Sequence, residues 1–174
     1  MINIDKSLTA AALLPKVDQF FDLTAGKIRL LDQEWDAGLG SPVFTVDGKY
    51  ATRGWTEWTQ GFQFGCALLQ YDATDDDEFL ELGRRRTLER MAPHLTHTGV
   101  HDHGFNNVST YGTLLRLINE GRIEADEWEK HFYELAIKVS GAVQASRWTD
   151  LPDGLGYVCS FNGPHSLFAD TIRS

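Results

Sequence analysis

Between His94 and Phe105 the chain reads His-Leu-Thr-His-Thr-Gly-Val-His-Asp-His-Gly-Phe, which sets the carboxylate of Asp102 among the imidazoles of His94, His97, His101 and His103. Groups packed this densely suit proton transfer, metal binding or a polar substrate pocket. A second carboxylate, Asp170, follows the loop Phe161-Asn162-Gly163-Pro164-His165, and Trp55 and Trp58 precede the histidine run. If those loops converge, they bring aromatic surface, imidazoles and paired carboxylates into one cleft. A pyranose ring stacks on tryptophan while polar side chains read its hydroxyls, so such a cleft is equipped for a sugar. Each feature also has an ordinary structural role. Aspartate before a turn caps a helix, aspartate in a first turn offsets the helix dipole, and tryptophans fill cores. The main rival chemistry is a zinc site drawn from His94, His97, His101, Asp102 and His103. Spacing argues only weakly for it, since there is no HExxH pattern and no cysteine nearby.

The elements that must position these groups are helical. Apolar residues at Leu13, Leu14, Val17, Phe20, Phe21, Ile28 and Leu31 fit one long or broken helix over about Ser7–Trp35, with Pro15 and Gly26 as interruptions. The run Gly38–Gly48 is rich in turn formers and reads as a loop with room for a short strand. A helix over Thr56–Tyr71 carries Gly61 and Gly65 four apart, which suits close packing against a neighbour. Thr74-Asp75-Asp76-Asp77-Glu78 supplies a cap and acidic first turn for a helix to about Ala92, with Phe79, Leu82, Leu88 and Met91 inward and Arg84, Arg85, Arg86 and Arg90 as a solvated, acid-paired face. Further helices are expected over Asn107–Glu120, stopped by Gly121, and Ala125–Ser146, with Trp128, Phe132, Leu135 and Val139 as the core stripe. Leu155–Phe161 reads as an extended loop, and Ala169–Ser174 as the opening of another helix. Helices joined by loops, without strand alternation, predict an all-α chain of antiparallel hairpins, with 1–174 as one domain or part of one.

Composition narrows the function classes. At 174 residues with a formal charge of −9, the chain can bury a globular core, and its acidity disfavours non-specific binding to nucleic acid or an anionic membrane. Cys66 and Cys159 are too few for a disulfide framework and are expected to be buried thiols. The amino terminus lacks a signal-peptide pattern and no apolar run is long enough to cross a bilayer, so a cytoplasmic location is expected.

A family resemblance falls on the same loops. Trp58-Thr59-Gln60-Gly61-Phe62-Gln63-Phe64-Gly65, followed by Leu68-Leu69-Gln70-Tyr71 and an acidic turn before Phe79-Leu80, is similar to the aromatic-glycine helix of unsaturated glucuronyl hydrolases, glycoside hydrolase family 88. His101-Asp102-His103-Gly104-Phe105 resembles the His-Asp-x-Gly-Phe loop of those enzymes. The likeness runs from about Trp55 to the end. It implies an (α/α)6 toroid of six helical hairpins, of which this chain would supply roughly the amino-terminal three. The family's aspartate helix continues with methionine and asparagine, whereas this chain reads Thr171-Ile172-Arg173-Ser174, a departure that implies a related but distinct branch of six-hairpin glycosidases.

By resemblance, the chain is a carbohydrate-active hydrolase that hydrates the C4=C5 bond of an unsaturated glucuronyl end and takes no cofactor or metal. The implied partner is an oligosaccharide containing uronic acid, with neither nucleic acid nor membrane. Asp170 would be the general acid/base, and Asp102 a second carboxylate that positions water or hydroxyls and raises the proton affinity of its partner. Trp58 and Trp55 would form a stacking wall, and His101, Asn162 and His165 would bind the sugar. The alternatives are a glycosidase that removes saturated β-glucuronic acid and a non-catalytic carbohydrate-binding or assembly module. A half toroid would also expose an apolar face open to self-association.

Overall fold

The computed structural model describes residue 5, residues 7–52 and residues 58–173, so the expectation for Trp55 lies outside the described residues. Those residues are mostly helical (64% helix, little sheet), in agreement with an all-α class. No helix among them is long and apolar enough to cross a membrane.

Helix α1, Ala10–Glu34, runs unbroken through Pro15 and Gly26, opened by Thr9, whose hydroxyl accepts the Ala12 N–H at 3.2 Å. Its later turns pack Ala25 and Ile28 on the core, whereas Leu13, Leu14, Val17 and Phe20 stay exposed. A hairpin follows, with β1 (Pro42–Val46) paired antiparallel to β2 (Lys49–Thr52) and Val46 opposite Lys49. Asp47 and Gly48, both at positive φ (51° and 76°), make the two-residue turn that matches strand twist. The strand expectation for this region was therefore too weak, because the alternation is short while the Asp-Gly turn is the stronger signal.

The centre of the fold is α2 (Thr59–Thr74), which packs on α1, α3 (Asp77–Arg90) and a wide-turned segment, Gly104–Gly112, that continues as α5 (Thr113–Asn119). Helix α3 is capped by Asp76, which accepts the Glu78 N–H at 3.1 Å, and is followed by the short α4, Ala92–Leu95. Phe64, Leu68, Tyr71, Phe79, Tyr111, Leu114, Leu117 and Tyr133 form the buried core between these helices and α6, Glu127–Ala145. The arginine run of α3 is acid-paired, as expected. Arg86 meets Asp32 at 2.7 Å and Arg84 meets Glu129 at 3.1 Å.

Gly104–Gly112 is a π-helix, a form rare outside single turns and frequent at functional sites. Hydroxyl side chains bond its carbonyls: Thr110 donates to the Asn106 carbonyl at 2.7 Å, and Thr113, the first residue of α5, donates to the Val108 carbonyl at 3.3 Å. Its neighbour α2 approaches closely. A Cβ on Gly61 would fall 2.2 Å from the Phe105 carbonyl oxygen, and one on Gly65 would fall 2.6 Å from that of Ser109. Across this contact the buried Asn106 Oδ1 accepts the Gly61 N–H at 2.9 Å, satisfying a first-turn donor that Trp58 leaves without a side-chain cap. Asn106→Ala is therefore expected to lower unfolding free energy by about 2 kcal/mol, read by urea denaturation, because the Gly61 donor is left buried and unpaired. A loss below about 0.5 kcal/mol would show that this bond does not anchor α2.

Two expectations for element faces need correction. On α6 the buried residues are Tyr133, Ala136, Ser140 and Gln144, whereas Trp128 and Leu135 are exposed and Phe132 and Val139 half-buried. On α3 the buried set is Phe79, Leu80, Gly83 and Thr87, with Leu88 exposed. After α6 the chain forms a second hairpin, β3 (Trp148–Asp150) with β4 (Gly156–Val158), where a plain loop was expected. Cys159 is buried as expected, but Cys66 is exposed.

Candidate active site

The histidine run divides into inward structural members and one that faces a carboxylate. His94 is buried and its Nε2–H donates to Gln60 Oε1 on α2 at 2.6 Å. His103, also buried, donates from Nε2 to the His97 carbonyl at 2.7 Å, which leaves Nδ1 to accept the Ser140 hydroxyl at 2.9 Å. Asn107 braces this junction, donating to Ser140 Oγ at 2.9 Å and to the His94 carbonyl at 3.3 Å. The zinc set considered from sequence is thus not gathered, because His94 and His103 turn into the helix core.

Burial is the first cause that pushes the His94 imidazole down to about 4, with the charges of His97 and His103 adding to it. The unfolded chain binds that proton near pH 6.5, so between pH 6.5 and about 4 the unfolded state holds more protons and stability falls as pH is lowered. His103 is shifted in the same direction, again mainly by burial. Unfolding free energy is expected to drop by about 2 kcal/mol from pH 7 to pH 5 on account of His94 alone. His94→Gln, which keeps a donor for Gln60, should flatten that slope in urea titrations at the two pH values. An unchanged slope would refute the assignment.

His101 is different. It is buried, and its carbonyl is held by the Gln144 amide at 2.9 Å, which fixes the loop to the end of α6. The Phe161 N–H donates to Nδ1 at 3.3 Å, so the ring hydrogen sits on Nε2 and points to Asp170 Oδ1, 3.2 Å away. Asp102 Oδ1 lies 4.0 Å from the same Nε2. Asp170, in a short 3-10 turn over Ala169–Arg173, is the solvent-facing carboxylate at 44% side-chain exposure, and Asp102 the buried one at 12%. Burial is the largest cause that pushes the Asp102 carboxyl above the ordinary carboxylate range; His101 opposes it and the charge of Asp170 adds to it. The sequence reading has Asp102 acting on its partner; the structure shows the charge of Asp170 acting on Asp102.

One ligand atom from each of His101, Asp102 and Asp170 lies within 4.8 Å of the others, a spacing a cation can bridge. The tautomer argues against it. A metal at Nε2 requires the ring hydrogen on Nδ1, where it would face the Phe161 N–H, donor against donor.

The loops expected to converge are linked by rings. Trp58, 44% exposed, packs with Phe62 at 5.5 Å and with Phe105 at 6.0 Å between centroids, next to the histidine loop. At His101, in the same loop, Phe161 stacks on the imidazole at 6.0 Å with an interplanar angle of 13°. Asn162 and His165 are exposed on a loop closed by a 2.8 Å bond from the Ser160 N–H to the Ser166 carbonyl. Among the described residues no hydrogen bond ties either side chain to Asp102 or Asp170.

Several positioning residues were missed from sequence. Gln144, Ser140, Asn107 and Arg147 each hold the histidine or aspartate loop. Arg147 donates to the carbonyls of Thr98 at 2.5 Å, Cys159 at 3.0 Å and Ser160 at 2.6 Å, tying both loops to the end of α6. The available signal was the pair Ser140 and Gln144 at i and i+4, a polar patch on one face of an otherwise amphipathic helix. Compared with known proteins, the chain matches no family model, no curated protein and no solved structure.

Proposed function

We propose that this chain belongs to a carbohydrate-active hydrolase that hydrates the C4=C5 bond of unsaturated glucuronyl ends on oligosaccharides, without a metal and on the helical-hairpin scaffold of an (α/α)6 toroid. A cytoplasmic setting is part of this reading. The observation that carries it is the meeting of Asp102 and Asp170 at His101 Nε2, with aromatic rings packed on His101 and on Phe105 of the same loop.

In the proposed reaction the carboxyl pair holds one proton. Asp170, the exposed member, delivers it to C4 of the vinyl ether, and positive charge develops along C5–O5. Water then adds at C5 and returns its proton to the carboxylate, and the hemiketal opens with release of the aglycone. His101 orients Asp170 through its Nε2–H. Buried Asp102, whose neutral form is favoured, holds the shared proton at rest and passes it to Asp170, whose nearest carboxylate oxygen lies within 4.8 Å, as Asp170 protonates C4. In this reading Trp58 offers a stacking face for the sugar, and Asn162 and His165, exposed on the loop before Asp170, bind its hydroxyls.

The test is loss of ultraviolet absorbance by an unsaturated uronyl disaccharide in the presence of a chelator. Loss despite the chelator supports metal-independent hydration. No loss, together with release from saturated β-glucuronides, would replace this reading with an ordinary glycosidase.

A further inference from the structure

The groups of the proposed proton path stand on two loops far apart in the chain, and one side chain joins them. Arg147, half-buried just beyond α6, donates from Nη1 to the Thr98 carbonyl, from Nε to the Cys159 carbonyl and from Nη2 to the Ser160 carbonyl. Its own carbonyl accepts the Cys159 N–H at 3.0 Å. Thr98 lies three residues before His101, and Ser160 directly precedes Phe161. The guanidinium therefore sets the spacing across which the Phe161 N–H reaches His101 Nδ1, the bond that leaves the ring hydrogen on Nε2 facing Asp170.

Ser160 carries this grip to the rest of its loop. It is fully buried, and its N–H and hydroxyl donate to the Ser166 carbonyl and hydroxyl at 2.8 and 2.7 Å. Its hydroxyl and carbonyl also accept the N–H groups of Asn162 and Gly163. Phe168, at the other end of the folded loop, packs edge-on against His101 at 5.7 Å, two residues before Asp170. A cation beyond a helix end ordinarily turns to the last carbonyls of that helix. Arg147 instead bonds carbonyls 12, 13 and 49 residues away in the chain. A planar fork of fixed donors holds two separate segments at a set spacing, which a lysine ammonium on a flexible stem does not.

Resting on the hydrolase reading for the reaction itself, we infer that Arg147 is a positioning residue for the carboxyl pair: it clamps the loop bearing Asp170 onto the loop bearing His101 and Asp102, and through that clamp fixes the His101 tautomer. Its charge is a separate influence. Burial, the largest cause, and the charge of Asp170 raise the Asp102 carboxyl, whereas His101 and the charge of Arg147 lower it. Two variants separate fork from charge, since Arg147→Lys keeps the charge without the fork and Arg147→Gln removes both.

The experiment records the imidazole nitrogen-15 resonances of the full chain labelled at histidine, together with kcat and KM for an unsaturated uronyl disaccharide. In the parent, His101 is expected in the Nε2–H form. Both Arg147 variants should show His101 shared between its two tautomers, and kcat should fall about a hundredfold while KM stays within about threefold. Arg122→Gln, which breaks another three-bonded arginine, at Asp72 and Asp75 by the end of α2, should lower the urea midpoint and leave both readouts at the parent's values. Arg147→Lys with the parent's tautomer and kcat would assign the effect to charge and overturn the clamp. Arg147→Gln with the parent's tautomer overturns it as well, whatever its stability. So does a parent whose His101 hydrogen lies on Nδ1, a result that needs no variant to fold. A tautomer that shifts as expected in a chain without turnover keeps the clamp and removes the hydrolase reading. Turnover beside an unmoved tautomer does the reverse.

Discussion

Asp170→Asn is expected to reduce turnover of an unsaturated uronyl disaccharide by about a thousandfold, measured as the rate of absorbance loss at saturating substrate. The amide keeps the shape and can still meet His101, but it can neither deliver a proton to C4 nor take one from water. Since Asp170 is largely solvent-facing and its turn lies at the edge of the fold, the unfolding midpoint should hardly move. Asp102→Asn should also lower turnover by about a hundredfold or more, but with a gain in stability instead of no change. Because burial raises the Asp102 carboxyl, the folded state takes up its proton more readily than the unfolded chain does. The ionised group therefore opposes folding at neutral pH, and the neutral amide removes that opposition. A more stable but inactive Asp102→Asn variant beside an equally stable inactive Asp170→Asn variant is the predicted pair. Retained turnover in either would remove that carboxylate from the mechanism.

The largest structural effect is expected at the contact of α2 with the π segment. Gly61→Val should cost about 3 kcal/mol or more, read as a fall in thermal and urea midpoints. Its Cβ would meet the backbone of Phe105 and Asn106 at 2.2 and 2.3 Å, where no flexible side chain can yield. The only relief is to separate the two helices, which breaks the Asn106–Gly61 bond and shifts Gly104 and Phe105 directly beside the histidine loop. Activity should then fall together with stability. Gly26→Ala, on α1 with open space around its Cβ, is the control and should be neutral or slightly stabilising. Similar losses at Gly61 and Gly26 would show that close approach is not what Gly61 provides.

Much of the helical framework was legible in the chain because its signals are local. Asp76 caps α3, Gly121 at positive φ ends the helix that contains α5, and Gly61 and Gly65 announce a close helix contact whose partner was unknown. Pro15 proved a weaker punctuation mark than expected, since α1 continues through it although it lies beyond the first turn, where proline is ordinarily accommodated. The faces of α3 and α6 were misjudged for a common reason. Hydrophobic periodicity assumes an apolar interior, but α6 turns Ser140 and Gln144 inward to bond the histidine loop, and its larger apolar residues Trp128 and Leu135 are left outside. Both hairpins were undervalued because strands of three to five residues carry too little alternation to read.

For the candidate site, residue types and spacing by themselves determined that imidazoles and carboxylates would be concentrated around Asp102 and that aromatic residues would stand nearby. Those are properties of composition along a short stretch of chain. Only the tertiary structure decided which histidine serves the site. Four imidazoles within ten residues are equivalent on paper. Packing separates them, because His94 and His103 find partners on α2 and α6, whereas His101 is held by a backbone N–H from sixty residues away and so points its remaining hydrogen at Asp170. The tautomer of a histidine, the difference in burial between two aspartates and the distance between distant loops all depend on contacts between chain segments far apart in sequence, and no local pattern encodes them.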